Sequence, residues 1–171
     1  NHGHHTACDL LHSTNFDPGG FSEYIRIPKI NIEKKGVFVL DRSVSYDEAV
    51  FIEPFGCVCR AQRLANVGKG LTVLILGSGV SGILHIQLAK LRGVAKVFAT
   101  DINEYRLKMA KKFGADEAFY ASEDIPSKLM ELNDHRLADV VIVCTGALSA
   151  ANQALKCTAP GGKIIFFAVP A

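Results

Sequence analysis

Residues 71–101 read LTVLILGSGVSGILHIQLAKLRGVAKVFATD, and this stretch decides the fold. An apolar run over 71–76 predicts a buried strand, and Gly77-Ser78-Gly79-Val80-Ser81-Gly82 predicts a tight turn opening a helix. An apolar-periodic segment follows, then a second apolar run, Val97-Phe98-Ala99-Thr100, that ends on Asp101. Strand, glycine turn, helix, strand and acid occur in the order of a phosphate-binding βαβ unit that takes a dinucleotide. The physical reason lies in the backbone. A pyrophosphate reaches the free N–H groups of a helix N-terminus only where no side chain blocks it.

Each glycine has a separate task in this reading: Gly77 takes the turn, Gly79 admits the diphosphate, and Gly82 lets the helix lie close on the strand. Ser78, Val80 and Ser81 complete the turn, whose amides would face the phosphates. Asp101 stands 101 − 82 = 19 residues after the last glycine, near the offset of about 20 at which a carboxylate accepts from a ribose hydroxyl. A carboxylate there also repels a 2′-phosphate, which favours NAD over NADP. Arg106 admits three roles: it could pair with a 2′-phosphate, stack on adenine, or lie on a solvated helix face. The spacing by itself is also compatible with a turn and a surface acid that bind nothing.

Composition bounds the remaining possibilities. The chain has 171 residues, 49% hydrophobic and 21% charged, with a net charge of +2, which is enough for one domain with a real core and part of another. There is no basic field for nucleic acid, and no run approaches the ~20 apolar residues that cross a bilayer. The opening residues do not resemble a signal peptide. Five cysteines, Cys8, Cys57, Cys59, Cys144 and Cys157, are scattered and odd in number, so reduced thiols and a cytoplasmic location are expected rather than a disulfide framework. Neither nucleic acid nor membrane is an expected partner.

Residues 1–44 differ in texture from the rest. After a His-rich start and a Pro18-Gly19-Gly20 turn, residues 21–27 alternate like a half-buried strand, so this part predicts the end of a β-rich domain. Ser45 and Glu48 have capping-box spacing and place a helix start near residue 45, and Pro54 interrupts that helix or opens the next. From residue 71 strands and helices alternate: strands over 71–76, 96–100, 117–120, 138–144 and 163–169, and helices near 80–91, 103–113, 125–132 and 149–157. A turn at Pro160-Gly161-Gly162 separates the last helix from the last strand. The expected fold of residues 45–171 is α/β, a doubly wound parallel sheet in the order 3-2-1-4-5. Five of the usual six strands are present, so the chain is expected to be a piece of a longer protein. The apolar segment 163–169 would then be an edge in need of a partner.

The residues also resemble a known family, the zinc-dependent medium-chain alcohol dehydrogenases, in the polyol (sorbitol) and threonine dehydrogenase branch. The resemblance runs over essentially the whole chain. It rests on residues 3–8, Gly20-Phe21-Ser22-Glu23-Tyr24, Ile52-Glu53-Pro54, the turn 77–82, Asp101 with Arg106, Lys112-Phe113-Gly114-Ala115-Asp116, and Cys144-Thr145-Gly146. It implies a Rossmann domain truncated after its fifth strand, preceded over residues 1–44 by the end of a GroES-like zinc-binding catalytic domain. Cys8 matches the last of four cysteines on a structural zinc and would be an orphaned ligand here, since one thiolate cannot hold a tetrahedral site. Glu53 matches the acid beside the catalytic zinc, bound directly or through water. Its ordinary alternative is a helix-terminal acid favoured by the helix dipole.

The resemblance places Cys144, Thr145 and Gly146 after the fourth strand, and Val169 after the fifth, around the nicotinamide and its ribose. A tight turn accounts for Gly146 equally well. Cys57 and Cys59, two apart on an expected helix, cannot share a metal and are expected to pack in the core or at an interface. The implied reaction passes hydride from a secondary alcohol, a polyol or hydroxy amino acid, to NAD, with zinc as Lewis acid. The isolated chain is expected to be inactive, and the full protein to be a homodimer or homotetramer joined through the Rossmann domain. Two other readings use the same fold: an S-adenosylmethionine-dependent methyltransferase and a non-catalytic NAD-binding scaffold.

Overall fold

The computed structural model describes residues 9–14 and 16–168, the side chains of Leu11 and His12 excepted. The His-rich start and the expectations for Cys8 and Val169 therefore lie outside the described residues. The chain forms two compact units, Asn1–Tyr46 and Asp47–Ala171.

The first unit is sparse in regular structure. Helices α1 (Asp9–Ser13) and α2 (Lys29–Glu33) are short, and the strand expected over 21–27 does not form. Asp17 and Arg26 make one isolated antiparallel bridge, closed by an amide bond of 2.7 Å from Arg26 to Asp17 and an exposed ion pair at 3.3 Å. Phe21 and Tyr24 are solvent-exposed. Alternation specifies which face of a strand is apolar, yet a strand forms only where a neighbour accepts its hydrogen bonds. Among the described residues, 21–27 has a single bridge.

A helix starts where the capping pattern predicts, α3 (Tyr46–Ala49) beginning one residue after Ser45. This helix lasts a single turn. Helix α4 (Ile52–Leu64) then opens with Pro54 in its first turn, where the missing amide is not needed. The rest follows the predicted alternation closely: β1 (Thr72–Leu76), α5 (Val80–Leu91), β2 (Lys96–Asp101), α6 (Glu104–Lys112), β3 (Glu117–Tyr120), α7 (Ile125–Leu132), β4 (Ala138–Val143), α8 (Leu148–Cys157) and β5 (Thr158–Phe166). Side-chain caps fix two of the starts. The carboxamide of Asn103 accepts from the Arg106 amide at 3.2 Å, and Asp124 accepts from the Ser127 amide at 3.3 Å, each cap contributing about 1 kcal/mol.

All neighbouring strands are parallel, in the order β3-β2-β1-β4-β5. Every residue of β1 is buried, because β1 lies at the centre of the sheet with helices on both faces. The two faces sort by parity. Val73 and Ile75 pack with Ile86, Ala89 and Ala110, whereas Leu74 and Leu76 pack with Ile125, Leu129 and Ala154. Near the amino edge, carboxylates take an amide of each of two strands: Asp139 accepts from Thr72, the first residue of β1, at 2.8 Å and Asp116 from Val97, the second of β2, at 2.7 Å. The Asp116 named in the sequence resemblance thus has a structural task.

The turn at Pro160-Gly161-Gly162 is present, but inside a longer strand rather than before it. Ala138 pairs with Thr158 and Val140 with Lys163, so two steps along β4 face five along β5. Gly161 has φ +76° there. A Cβ on Gly162 would lie 2.9 Å from the Asp139 carbonyl, so the looped-out residues can rejoin the ladder only with a glycine at this point. Regular pairing resumes at Lys163, the residue at which the sequence predicts the strand to begin.

Candidate functional site

The order of the strands reverses between β1 and β4, and in open α/β sheets ligands bind beyond the carboxyl ends of the strands at such a point. A cavity of about 260 Å³ lies there. Its walls come from residues at the ends of four strands: Leu76 and Gly77 at the end of β1, Thr100 to Ile102 at the end of β2, Ala121 after β3, and Cys144 and Thr145 after β4. Helix α8 closes it with Ser149, Ala150 and Gln153, and Arg106 of α6 stands at the side.

The glycines of the turn are used for different physical reasons. Gly77 has φ +97°, and a Cβ there would lie 3.2 Å from the Cys144 carbonyl. Gly82 lies beneath the turn, and a Cβ would collide with the Gly77 carbonyl oxygen. Gly79 has nothing within 4 Å of its missing side chain; its face is open to the cavity. It is the N-cap of α5 and no side chain caps that helix, so the first-turn amides of Val80, Ser81 and Gly82 keep their donors for an anion.

Asp101 is the best-held acid of the site. It is only 5% exposed; Oδ2 accepts from the Ser78 amide at 2.8 Å, and Oδ1 from the Asn103 amide at 3.0 Å. The Arg106 guanidinium lies 3.8 Å from Oδ2. A carboxylate offers about four acceptor positions, so two backbone bonds orient it and leave capacity for hydroxyls. Ser78 turns out to serve the turn itself. Its amide is taken by Asp101, and its hydroxyl donates to the Thr100 carbonyl at 3.2 Å.

The remaining predicted residues divide. Thr145 and Cys144 line the cavity, whereas Gly146 is not among its lining residues. Val80 faces a broader groove between α5 and α6 that Arg106 also borders. Ser81 hydrogen-bonds the Cys144 thiol, which eases its ionisation, but burial dominates and pushes that thiol up to about 12. Cys144 is therefore a neutral wall residue at ordinary pH.

Glu53 occupies the first turn of α4 and accepts from Cys57 Sγ at 3.4 Å. Desolvation raises the Cys57 pKa first, with the hydrogen bond to Glu53 and the Glu53 charge adding to it. Cys57 is exposed and Cys59 half-buried, which corrects the core alternative for Cys57. Among the described residues no three His, Cys, Asp or Glu side chains stand close enough to hold a metal ion. The described residues thus fit a dinucleotide and do not by themselves assemble a zinc site.

Ile102, Ala121, Ser149 and Gln153 were not singled out from sequence. Ile102 and Ala121 had a usable signal, since each directly follows a strand at the edge where ligands bind. Gln153 had none: it reaches the site by donating to the Ala121 carbonyl at 3.1 Å, across 32 residues of chain.

Comparison with known proteins agrees with this geometry. Residues 81–171 match the family profile described as zinc-binding dehydrogenase. L-threonine 3-dehydrogenase of Chromobacterium violaceum is 35% identical over 153 residues, 89% of this chain and 43% of that protein, and the enzyme of the same name from Burkholderia vietnamiensis is also 35% identical over the same shares. The chain thus spans less than half the length of these curated relatives. Among solved structures, a protein described as a zinc-binding dehydrogenase from Sinorhizobium meliloti, bound to NADP, superposes with TM-score 0.73 at 26% identity, covering 78% of this chain and 40% of that one. An oxidoreductase of unknown specificity from Escherichia coli gives TM-score 0.71 at 29% identity, over 76% of this chain and 38% of that one. Nothing in these comparisons supports the methyltransferase alternative. Family profile, relatives and fold agree: the chain belongs to the zinc-binding dehydrogenase family.

Proposed function

We propose that this chain is the NAD-binding part of a dehydrogenase that takes hydride from a secondary alcohol, a polyol or a hydroxy amino acid. The observation that carries the reading is the Asp101 carboxylate, buried at the cavity and aimed by the Ser78 and Asn103 amides. When bound, NAD supplies the hydride acceptor. The chain's residues bind and orient it: the α5 amides hold the pyrophosphate, Asp101 accepts from the adenosine ribose, and Ile102, Ala121 and Arg106 border the adenine. Cys144, Thr145, Gly146 and Val169 flank the nicotinamide. Asp101 disfavours a 2′-phosphate through charge, and its 3.8 Å contact with Arg106 diverts that cation from serving as a phosphate clamp.

Residues 1–44 are assigned in this reading to the catalytic domain and 45–171 to the cofactor domain. Threonine dehydrogenases as relatives favour a hydroxy amino acid or similar alcohol. Glu53 and Cys8 keep their proposed places near a catalytic and a structural zinc, but no step is assigned to a metal, because the described residues do not assemble a site. A cytoplasmic homodimer or homotetramer joined through the sheet domain completes the proposal. Among the described residues, no helix is long and apolar enough to cross a membrane. Thermal shift separates the readings. NADH should raise the melting temperature of this chain more than NADPH does, with no shift from S-adenosylmethionine; stabilisation by S-adenosylmethionine alone would overturn the assignment.

A further inference from the structure

Between α4 and α5 lies a buried polar pair that the cofactor reading does not use. Gln62 of α4 and His85 of α5 are both fully buried. The Gln62 side-chain nitrogen donates to the His85 carbonyl at 2.8 Å and lies 3.2 Å from His85 Nδ1. A carbonyl only accepts, so the contacting atom is the amide nitrogen, and its second hydrogen makes Nδ1 an acceptor. The imidazole proton then sits on Nε2. That atom and Gln62 Oε1 are buried with no hydrogen-bond partner among the described residues, an arrangement that costs stability and calls for a physical reason.

The imidazole packs edge-to-face on Phe167, with ring centroids 4.7 Å apart and planes at 88°. Phe167 follows β5 at the carboxyl edge of the sheet. Its amide and that of Ala168 both donate to the Val143 carbonyl at 3.0 Å, which sets this segment beside Cys144 and Thr145. Burial also pushes the His85 pKa down to about 4, so the ring stays neutral and keeps one tautomer. A ring fixed at Nδ1 by Gln62 offers Phe167 one orientation for the edge-to-face contact.

We propose that His85 is a positioning residue for the nicotinamide half of the cofactor, acting through Phe167 on the Phe167-Ala168 step that lies beside Cys144. The proposal rests on the dinucleotide reading above and assigns no contact between His85 and the cofactor. Its signature is a split between the two halves of the ligand. ADP-ribose carries the adenosine and pyrophosphate but lacks the nicotinamide.

The test is calorimetric titration of this chain with NADH and with ADP-ribose, for the wild type, His85→Leu, Phe167→Leu and Phe167→Tyr. In the wild type NADH should bind several-fold tighter than ADP-ribose. In His85→Leu and Phe167→Leu that preference should fall at least threefold while ADP-ribose affinity stays within twofold, and Phe167→Tyr, which keeps the ring, should restore it. Phe167 is only half-buried, so its variants keep the test available if His85→Leu does not fold. An unchanged preference in the Phe167→Leu protein, or equal affinity for the two ligands in the wild type, overturns the proposal while leaving the dinucleotide reading intact. Failure of the wild type to bind either ligand overturns the dinucleotide reading instead.

Discussion

Two acids in the second unit, Asp101 and Glu53, stand in opposite surroundings. Asp101 is 5% exposed, holds two backbone amides and borders a cavity; Glu53 is exposed at the start of α4 and accepts from one thiol. Both are legible in the sequence as candidate functional residues. They differ in where their partners come from. Those of Asp101 are backbone groups of the adjoining turn and of the next helix, so the fold that makes β2 also makes the site. A metal ligand needs side chains from several distant segments, and among the described residues Glu53 has no such company.

The largest expected effect falls on the turn that Asp101 holds. Gly82→Ala drives a Cβ into the Gly77 carbonyl, so the turn must shift; overpacking against backbone costs on the order of 1–3 kcal/mol or more. Denaturant titration should show that loss, and NADH affinity should fall more than a hundredfold. Near-normal binding in Gly82→Ala would remove the close approach from the account.

Acid stability is next in size and reports on the core beneath the same edge. His85 is held neutral with a pKa of about 4, below its ordinary value of 6.5. Below pH 6.5 the unfolded state takes up a proton that the folded state refuses, so stability is full above 6.5 and falls as the pH drops towards 4. The shift corresponds to at most about 3 kcal/mol. Chemical denaturation across that window should show the decline, and His85→Leu should flatten it. An identical acid slope in His85→Leu would assign it to other groups.

Replacing Asp101 by Ala leaves the Ser78 amide without its acceptor, at a cost of about 1–3 kcal/mol, and should lower NADH affinity at least tenfold in equilibrium titrations. Glu53→Gln gives the smallest effect. Stability should change by less than about 0.5 kcal/mol, with cofactor affinity unaltered. Because the Glu53 charge and hydrogen bond raise the Cys57 pKa, the variant should expose more thiolate and react faster with a disulfide reagent at pH 8. A large loss of NADH binding in Glu53→Gln would erase the contrast between the two acids.

The legible part of the fold is the part governed by local physics. Strand β1 and helix α7 stand where the apolar pattern places them. Phe21 and Tyr24 show the opposite case: alternation alone could not supply the neighbour that residues 21–27 would need. Gly77, Gly82 and Asp101 were legible because glycine spacing encodes backbone approach directly. Ser78 was legible as part of the turn, but its inward task was not, since that depends on the Thr100 carbonyl across the sheet. Gln153 and His85 were silent for the same reason. An ordinary helix residue acquires a role only from the loop or ring that tertiary packing brings against it.

The measurement that tests the central claim most directly is titration of NADH and NADPH into this chain, wild type and Asp101→Ser, under one salt condition. The account predicts that the wild type binds NADH at least tenfold tighter than NADPH, and that Asp101→Ser loses most of that preference. Equal binding of the two cofactors by the wild type, or a preference that survives the substitution, would contradict it.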